Sequence, residues 1–183
     1  MWKIFVFVLG SILLASISWS SLRVRRSHGF YRFFAWECLL VLLLLNVEVW
    51  FNDPFAWNQI ISWVLLVGAL IPLGLGVHEL RRRGQAVESR EGDDALLPFE
   101  RTTNLVTSGI YRYIRHPLYS SLLLLAWGIF FKSVSFPGFA VAAAATVLLV
   151  LTARADETEC MAFFGPQYRR YMTSTRMFIP FLL

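Results

Sequence analysis

Charge is scarce in this chain. Only 16% of its 183 residues are Asp, Glu, Lys or Arg, and 57% are hydrophobic, where soluble domains are about a quarter charged. Together with a mean hydropathy of +0.57, this balance excludes an ordinary soluble domain and points to a membrane protein. Cysteine is scarcer still, with Cys38 inside an apolar block and Cys160 in a charged tail. That excludes a disulfide framework, and neither spacing suits a metal site. Internal repeats are absent, and the one low-complexity run, AAAA at 142–145, reads as close helix packing. The net charge of +5 and a pI near 9.6 would suit nucleic acid. The basic residues, however, sit in short loops beside apolar blocks, where membrane orientation explains them and no nucleic-acid partner is expected.

Five apolar segments are present: Trp2–Ser20, Phe33–Phe51, Trp57–Val77, Pro117–Phe131 and Gly138–Ala153. The first three have about the 20 residues a spanning helix needs. The last two are shorter and joined by KSVSFPG, whose Pro137-Gly138 reads as a tight turn. In lipid such runs must pair their own backbone groups, so each is expected to be helical. The fold expected is all-α: a polytopic membrane protein of about five transmembrane helices, the last two a short hairpin, with a cytoplasmic helical C-terminal tail. All of the 17 basic residues except Lys3 and Lys132 fall on one side of this arrangement. The positive-inside rule then puts the N-terminus outside and the long loop and tail in the cytoplasm. The first segment is expected to stay uncleaved, because its stronger basic cluster follows the apolar run and no clear A-x-A site is present.

The chain divides into a three-helix membrane region, 1–77, and a region, 78–183, that holds nearly every polar constellation. The charged, turn-rich segment 78–104 is too long for a passive connector. In the tail, ARADETECMAFF reads as a helix continuing the fifth segment, with Gly165 as its stop and Pro166 opening the next helix. The closing FIPFLL is expected to return to the membrane surface.

The densest chemistry lies in LVTSGIYRYIRHPLY, residues 105–119, at the lip of the fourth apolar segment. Pro117 suits the first position of a helix, which leaves His116 at the cap and Tyr119 within the first turn. That first turn favours an anion such as a carboxylate, while Asp156 and Glu157 in the tail supply the opposite sign. A pocket of both signs complements a ligand bearing a carboxylate and a cation, as S-adenosylmethionine does. Tyr111, Tyr119, Tyr168 and Tyr171 offer ring faces to a sulfonium or to adenine. Taken singly, Arg115 reads as an interfacial residue, His116 as a cap, and the tyrosines as part of an aromatic belt. Their co-occurrence on one membrane face is what points to a site. Asn46 and Glu48 read as interfacial residues, and His78-Glu79 as a possible rim of a cofactor entrance.

The combined pattern T-x-G-x-Y, R-H-P-x-Y, an acidic pair, a glycine and paired tyrosines resembles the isoprenylcysteine carboxyl methyltransferase family over about residues 103–180. A looser version is shared with the phospholipid N-methyltransferases. The resemblance implies an integral membrane methyltransferase using S-adenosylmethionine on a lipophilic acceptor drawn from the bilayer: an isoprenylcysteine-like carboxylate, another lipid or a small thiol. It implies cofactor contacts from Asn104, Leu105, Val106, Tyr111, His116, Pro117, Leu118, Tyr119, Asp156 and Glu157, with Arg115, Glu157 and Arg154 as catalytic candidates and no metal. Three positions depart from the family pattern. Asp156 replaces a glutamate, Ser121 a frequent glycine, and Thr152 the arginine that orients a carboxylate substrate, the nearest arginine being Arg154. Glu157 or His116 would serve as base for a protonated acceptor. The alternative is a membrane sterol-reductase-like enzyme using NADPH, whose pattern also has an acidic pair near a cysteine. Those enzymes carry asparagine where this chain has Leu118.

Overall fold

The computed structural model describes residues 1–85 and 101–180. Most of the charged segment 78–104 and the last three residues of FIPFLL therefore lie outside the described residues. The described residues form α1 (Trp2–Ile17), α2 (Trp19–Arg23), α3 (His28–Asn46), α4 (Trp57–Arg83), α5 (Pro117–Phe130), α6 (Phe136–Phe164) and α7 (Pro166–Ser174), with 3₁₀ turns at Val47–Val49 and Gly109–Arg112. Among them is no β-strand, and a lone parallel bridge joins Ile114 to Arg176. The protein is an all-helical, polytopic membrane protein. Three stretches are long and apolar enough to cross a bilayer: His28–Val49, Trp57–Arg83 and Phe136–Phe164.

Segment lengths differ from the sequence expectation in three places, and Pro137-Gly138, read as a tight turn, lies in the first turn of α6. The first segment reaches only Ile17 as a helix, because the chain kinks at Ser18 and restarts as α2. The fifth, read as short, is part of the 29-residue α6. Its apolar stretch runs without a break into ARADETECMAFF, as the polar continuation predicts. Similarly, α4 extends beyond Val77 to Arg83.

Local chemistry sets the helix ends. The side chain of Ser27 accepts from the Phe30 N–H at 3.1 Å and caps α3, and that of Ser135 accepts from the Gly138 N–H at 3.2 Å and caps α6. Pro117 occupies the first turn of α5 after the cap His116. Gly165, at φ +59°, stops α6, and Pro166 starts α7; a side chain at that backbone angle would be strained.

Small residues bring the long helices together. Ala142 and Ala145 of α6 are fully buried in a cluster with Leu39 and Leu42 of α3. A Cβ on Gly128 of α5 would lie 2.9 Å from Leu66 of α4, and the Ser62 hydroxyl donates to the Gly128 carbonyl at 2.7 Å. In lipid, such close approach replaces the hydrophobic driving force that water would supply. The outward faces of α1 and α4 remain apolar, with Phe5, Ile12, Val64 and Leu70 exposed, as contact with acyl chains requires.

The two ends of the bundle differ. At one end Lys132, buried after α5, donates to Gln59 Oε1 at 2.9 Å and stands 3.4 Å from the Trp63 ring centroid. There Asn46, also buried, donates to the Leu42 carbonyl at 2.8 Å, and Glu48 pairs with Lys3 at 3.0 Å. At the other end, the close of α4, the opening of α5 and the polar half of α6 come together. That end carries the remaining described basic residues and the candidate site.

Candidate functional site

Two backbone features build the site. The chain after α7 pairs with the segment before α5: the Arg115 N–H donates to the Arg176 carbonyl at 2.7 Å, and the His116 N–H to the Met177 carbonyl at 3.1 Å. The Ser120 hydroxyl then donates to the Phe178 carbonyl at 2.8 Å. Meanwhile α6 continues past the bundle and carries its acids over the first turn of α5.

Side chains lock this junction. Arg115 Nε donates to Glu157 Oε1 at 2.7 Å, and Nη1 donates to the Thr175 carbonyl at 2.5 Å. The buried ring of His116 lies between the acids, with Nδ1 3.4 Å from Asp156 Oδ2 and Nε2 3.4 Å from Glu157 Oε1. Burial alone would lower the His116 pKa. The two carboxylates outweigh it and raise the pKa above the ordinary histidine value. Tyr119 donates from its hydroxyl to Asp156 Oδ2 at 3.2 Å and stacks on His116, with centroids 5.3 Å apart and planes 20° apart. The Cys160 thiol donates to Asp156 Oδ1 at 3.5 Å.

A cavity opens beside this junction. Leu105, Val106, Tyr111, Arg115, His116, Pro117, Leu118, Tyr119, Asp156, Glu159, Cys160, Tyr168 and Tyr171 line it, with Leu80, Thr102 and Phe164 completing the wall. Tyr168 and Tyr171 of α7 pack edge to face at 5.7 Å, and the Tyr171 hydroxyl donates to the Tyr111 carbonyl at 2.6 Å. Burial pushes both phenols above their ordinary pKa, so they stay neutral aromatic surface. The wall therefore joins carboxylates, rings and apolar residues at one end of a membrane bundle.

Most of the cofactor-contact residues implied by the resemblance meet here, and three candidates stand apart. Asn104 is exposed and off the wall. Glu157, buried, is held by Arg115 and His116 and does not line the cavity. Arg154 is exposed and lies off the wall, since it sits about 200° round α6 from Asp156. Thr152 is fully buried, its hydroxyl donating to the Leu148 carbonyl at 2.8 Å. Sequence reasoning missed Glu159 and Cys160. Their spacing from Asp156 placed them on its face of the helix all along, since residues three and four apart share a side. Glu79, read as a possible rim residue, accepts from the Ser108 hydroxyl at 2.9 Å and pairs with Arg83 at 3.1 Å.

The fold defines a membrane-embedded helical protein with a cavity of apolar, aromatic and ionisable side chains at one end. Residues 93–165, less than half of the chain, match the phospholipid methyltransferase family. A methanethiol S-methyltransferase from Crocosphaera subtropica (strain ATCC 51142 / BH68) is 30% identical over 76 residues. That alignment covers 42% of this chain and 29% of the relative, so less than a third of the relative's length is represented. No solved structure matches.

Proposed function

We propose that this protein is an integral membrane methyltransferase that uses S-adenosylmethionine. The observation that carries the reading is the convergence of the opening turn of α5 and the acid-bearing face of α6 on one aromatic-walled cavity. The donor set fits the cofactor. Asp156 faces its cationic groups, Pro117, Leu118 and Tyr119 present the positive end of α5 to its carboxylate, and Tyr111, Tyr168 and Tyr171 offer ring faces.

When bound, the cofactor supplies a methyl group already activated by a sulfonium. The chain then has to orient donor and acceptor and exclude water. His116 holds both acids in place, Arg115 ties the tail to α5, and the apolar rings close the wall. A cavity at the bundle end lets a water-soluble cofactor enter from the cytoplasm and a lipophilic acceptor from the bilayer. The basic residues at that end support the cytoplasmic placement.

The acceptor that best suits this wall is an uncharged nucleophile such as a thiol or amine. A carboxylate would want a guanidinium free to fork onto it, yet Arg115 on the wall is already paired with Glu157, Thr152 holds the family's arginine position and Arg154 lies exposed off the wall. The thiol acceptor named for the Crocosphaera relative agrees with this preference. Calorimetry on detergent-solubilised protein with S-adenosylhomocysteine and with NADPH tests the cofactor. Binding of NADPH and not of adenosylhomocysteine would replace this reading with the reductase. Transfer of labelled methyl to an alkyl thiol, to prenylcysteine or to phosphatidylethanolamine identifies the acceptor.

A further inference from the structure

The resemblance assigns cation recognition to the neighbouring acids Asp156 and Glu157, but the two are not equivalent in the structure. The Glu157 carboxylate is turned to Arg115 and His116 and leaves the cavity wall. The Arg115 guanidinium, 2.7 Å away, holds it off that wall. The acid that joins Asp156 on the wall is Glu159, whose side chain is 41% exposed.

Glu159 is held rigidly from across the bundle. The His28 backbone N–H, in the first turn of α3, donates to its Oε1 at 2.9 Å. Nδ1 of the fully buried His28 ring contacts its Oε2 at 2.5 Å. A carboxylate fixed by two donors keeps its orientation without a ligand, and a pre-oriented charge in a partly desolvated wall discriminates more sharply than a mobile surface one. The opposite ring nitrogen of His28 is buried without a hydrogen-bond partner, so the ring is placed there at a cost that the contact with Glu159 must offset.

We infer that Glu159, anchored by His28, is the second carboxylate that recognises the positive charge of the cofactor, in the role the family pattern gives to Glu157. The inference rests on the proposed cofactor. Its residues would make Glu159 a binding residue and His28 a positioning residue. A purely structural tie between α3 and α6 makes a different prediction, because it would shift the affinity of every ligand alike.

Three probes of graded charge separate these outcomes. S-adenosylmethionine carries a sulfonium and an ammonium, S-adenosylhomocysteine an ammonium alone, and 5′-methylthioadenosine neither. In calorimetry on the full chain in detergent, Glu159→Gln is expected to weaken S-adenosylmethionine about three- to ten-fold more than methylthioadenosine, the size of one partly exposed charge contact. His28→Asn, which removes the ring and leaves the carboxylate, should lower the same ratio in the same direction by less. It also serves if Glu159→Gln does not fold. Equal shifts for all three ligands, or none, in these variants overturn the inference and leave the cofactor reading standing. Failure of the wild-type protein to bind any of the three overturns both.

Discussion

Arg115 Nε meets Glu157 Oε1 at 2.7 Å although the residues stand 42 positions apart. Their side chains are only 10% and 8% exposed. The guanidinium also donates to the Thr175 and Met172 carbonyls, so one side chain joins α5, α6 and the tail. Lysine cannot reproduce that fork. Arg115→Lys should therefore destabilise the protein by about 3 kcal/mol, the usual cost of breaking a buried pair. Thermal melts in detergent measure it, and a loss within experimental error would show the junction to be unimportant.

His116 makes stability depend on pH. Its folded pKa is raised: burial opposes the charge, and the facing Asp156 and Glu157 carboxylates outweigh burial, with Arg115 the nearest cation on the same junction. The stabilisation is therefore fully present below the ordinary value of about 6.5 and is lost as pH rises through the raised folded value. Melting temperature is expected to fall on the alkaline side of neutrality, and His116→Gln should flatten that part of the profile. An unchanged slope in the variant would assign the dependence to another group.

Tyr171→Phe removes the 2.6 Å bond to the Tyr111 carbonyl while keeping the ring. Stability should drop by about 1–2 kcal/mol, because a buried carbonyl loses its donor. Cofactor affinity should weaken less than in Tyr171→Ala, which also removes the aromatic wall. Paired melts and titrations separate the two effects.

Gly128 has no room for a larger side chain, since its Cβ would meet Leu66 Cδ2 at 2.9 Å and the Leu66 backbone nitrogen at 3.2 Å. Gly128→Val should push α4 and α5 apart at a cost of about 1–3 kcal/mol. The substitution lies far along α5 from the cavity, so the loss should appear in thermal stability before ligand affinity.

Arg154→Ala tests the acceptor assignment. Its side chain is exposed on the far side of α6 from Asp156, so methyl transfer to an uncharged acceptor is expected to proceed at the wild-type rate. A loss of ten-fold or more, about 1.4 kcal/mol in the barrier, would return this arginine to the substrate site.

Much of the architecture was legible in residue order alone. Pro117 and Gly165 mark in the sequence where α5 begins and α6 ends, because capping and backbone freedom act over one turn, whereas the Ser27 and Ser135 caps emerged only with the structure. The lip at His116-Pro117 and the acids of DETEC are visible for the same reason. The kink at Ser18 was not legible, since hydropathy continues through it and only the emerging backbone breaks.

What residue order could not decide was which way each acid faces. Asp156, Glu157 and Glu159 are near neighbours in the chain, yet one faces His116 and the cavity, one is spent on Arg115, and one is held by His28 from 131 positions away. Helical period assigns residues to faces, but a face acquires a role only from what packs against it. The packing of α3 and α5 against α6, and the return of the tail beside Arg115, made that choice because a buried charge must find its partner in space rather than along the chain.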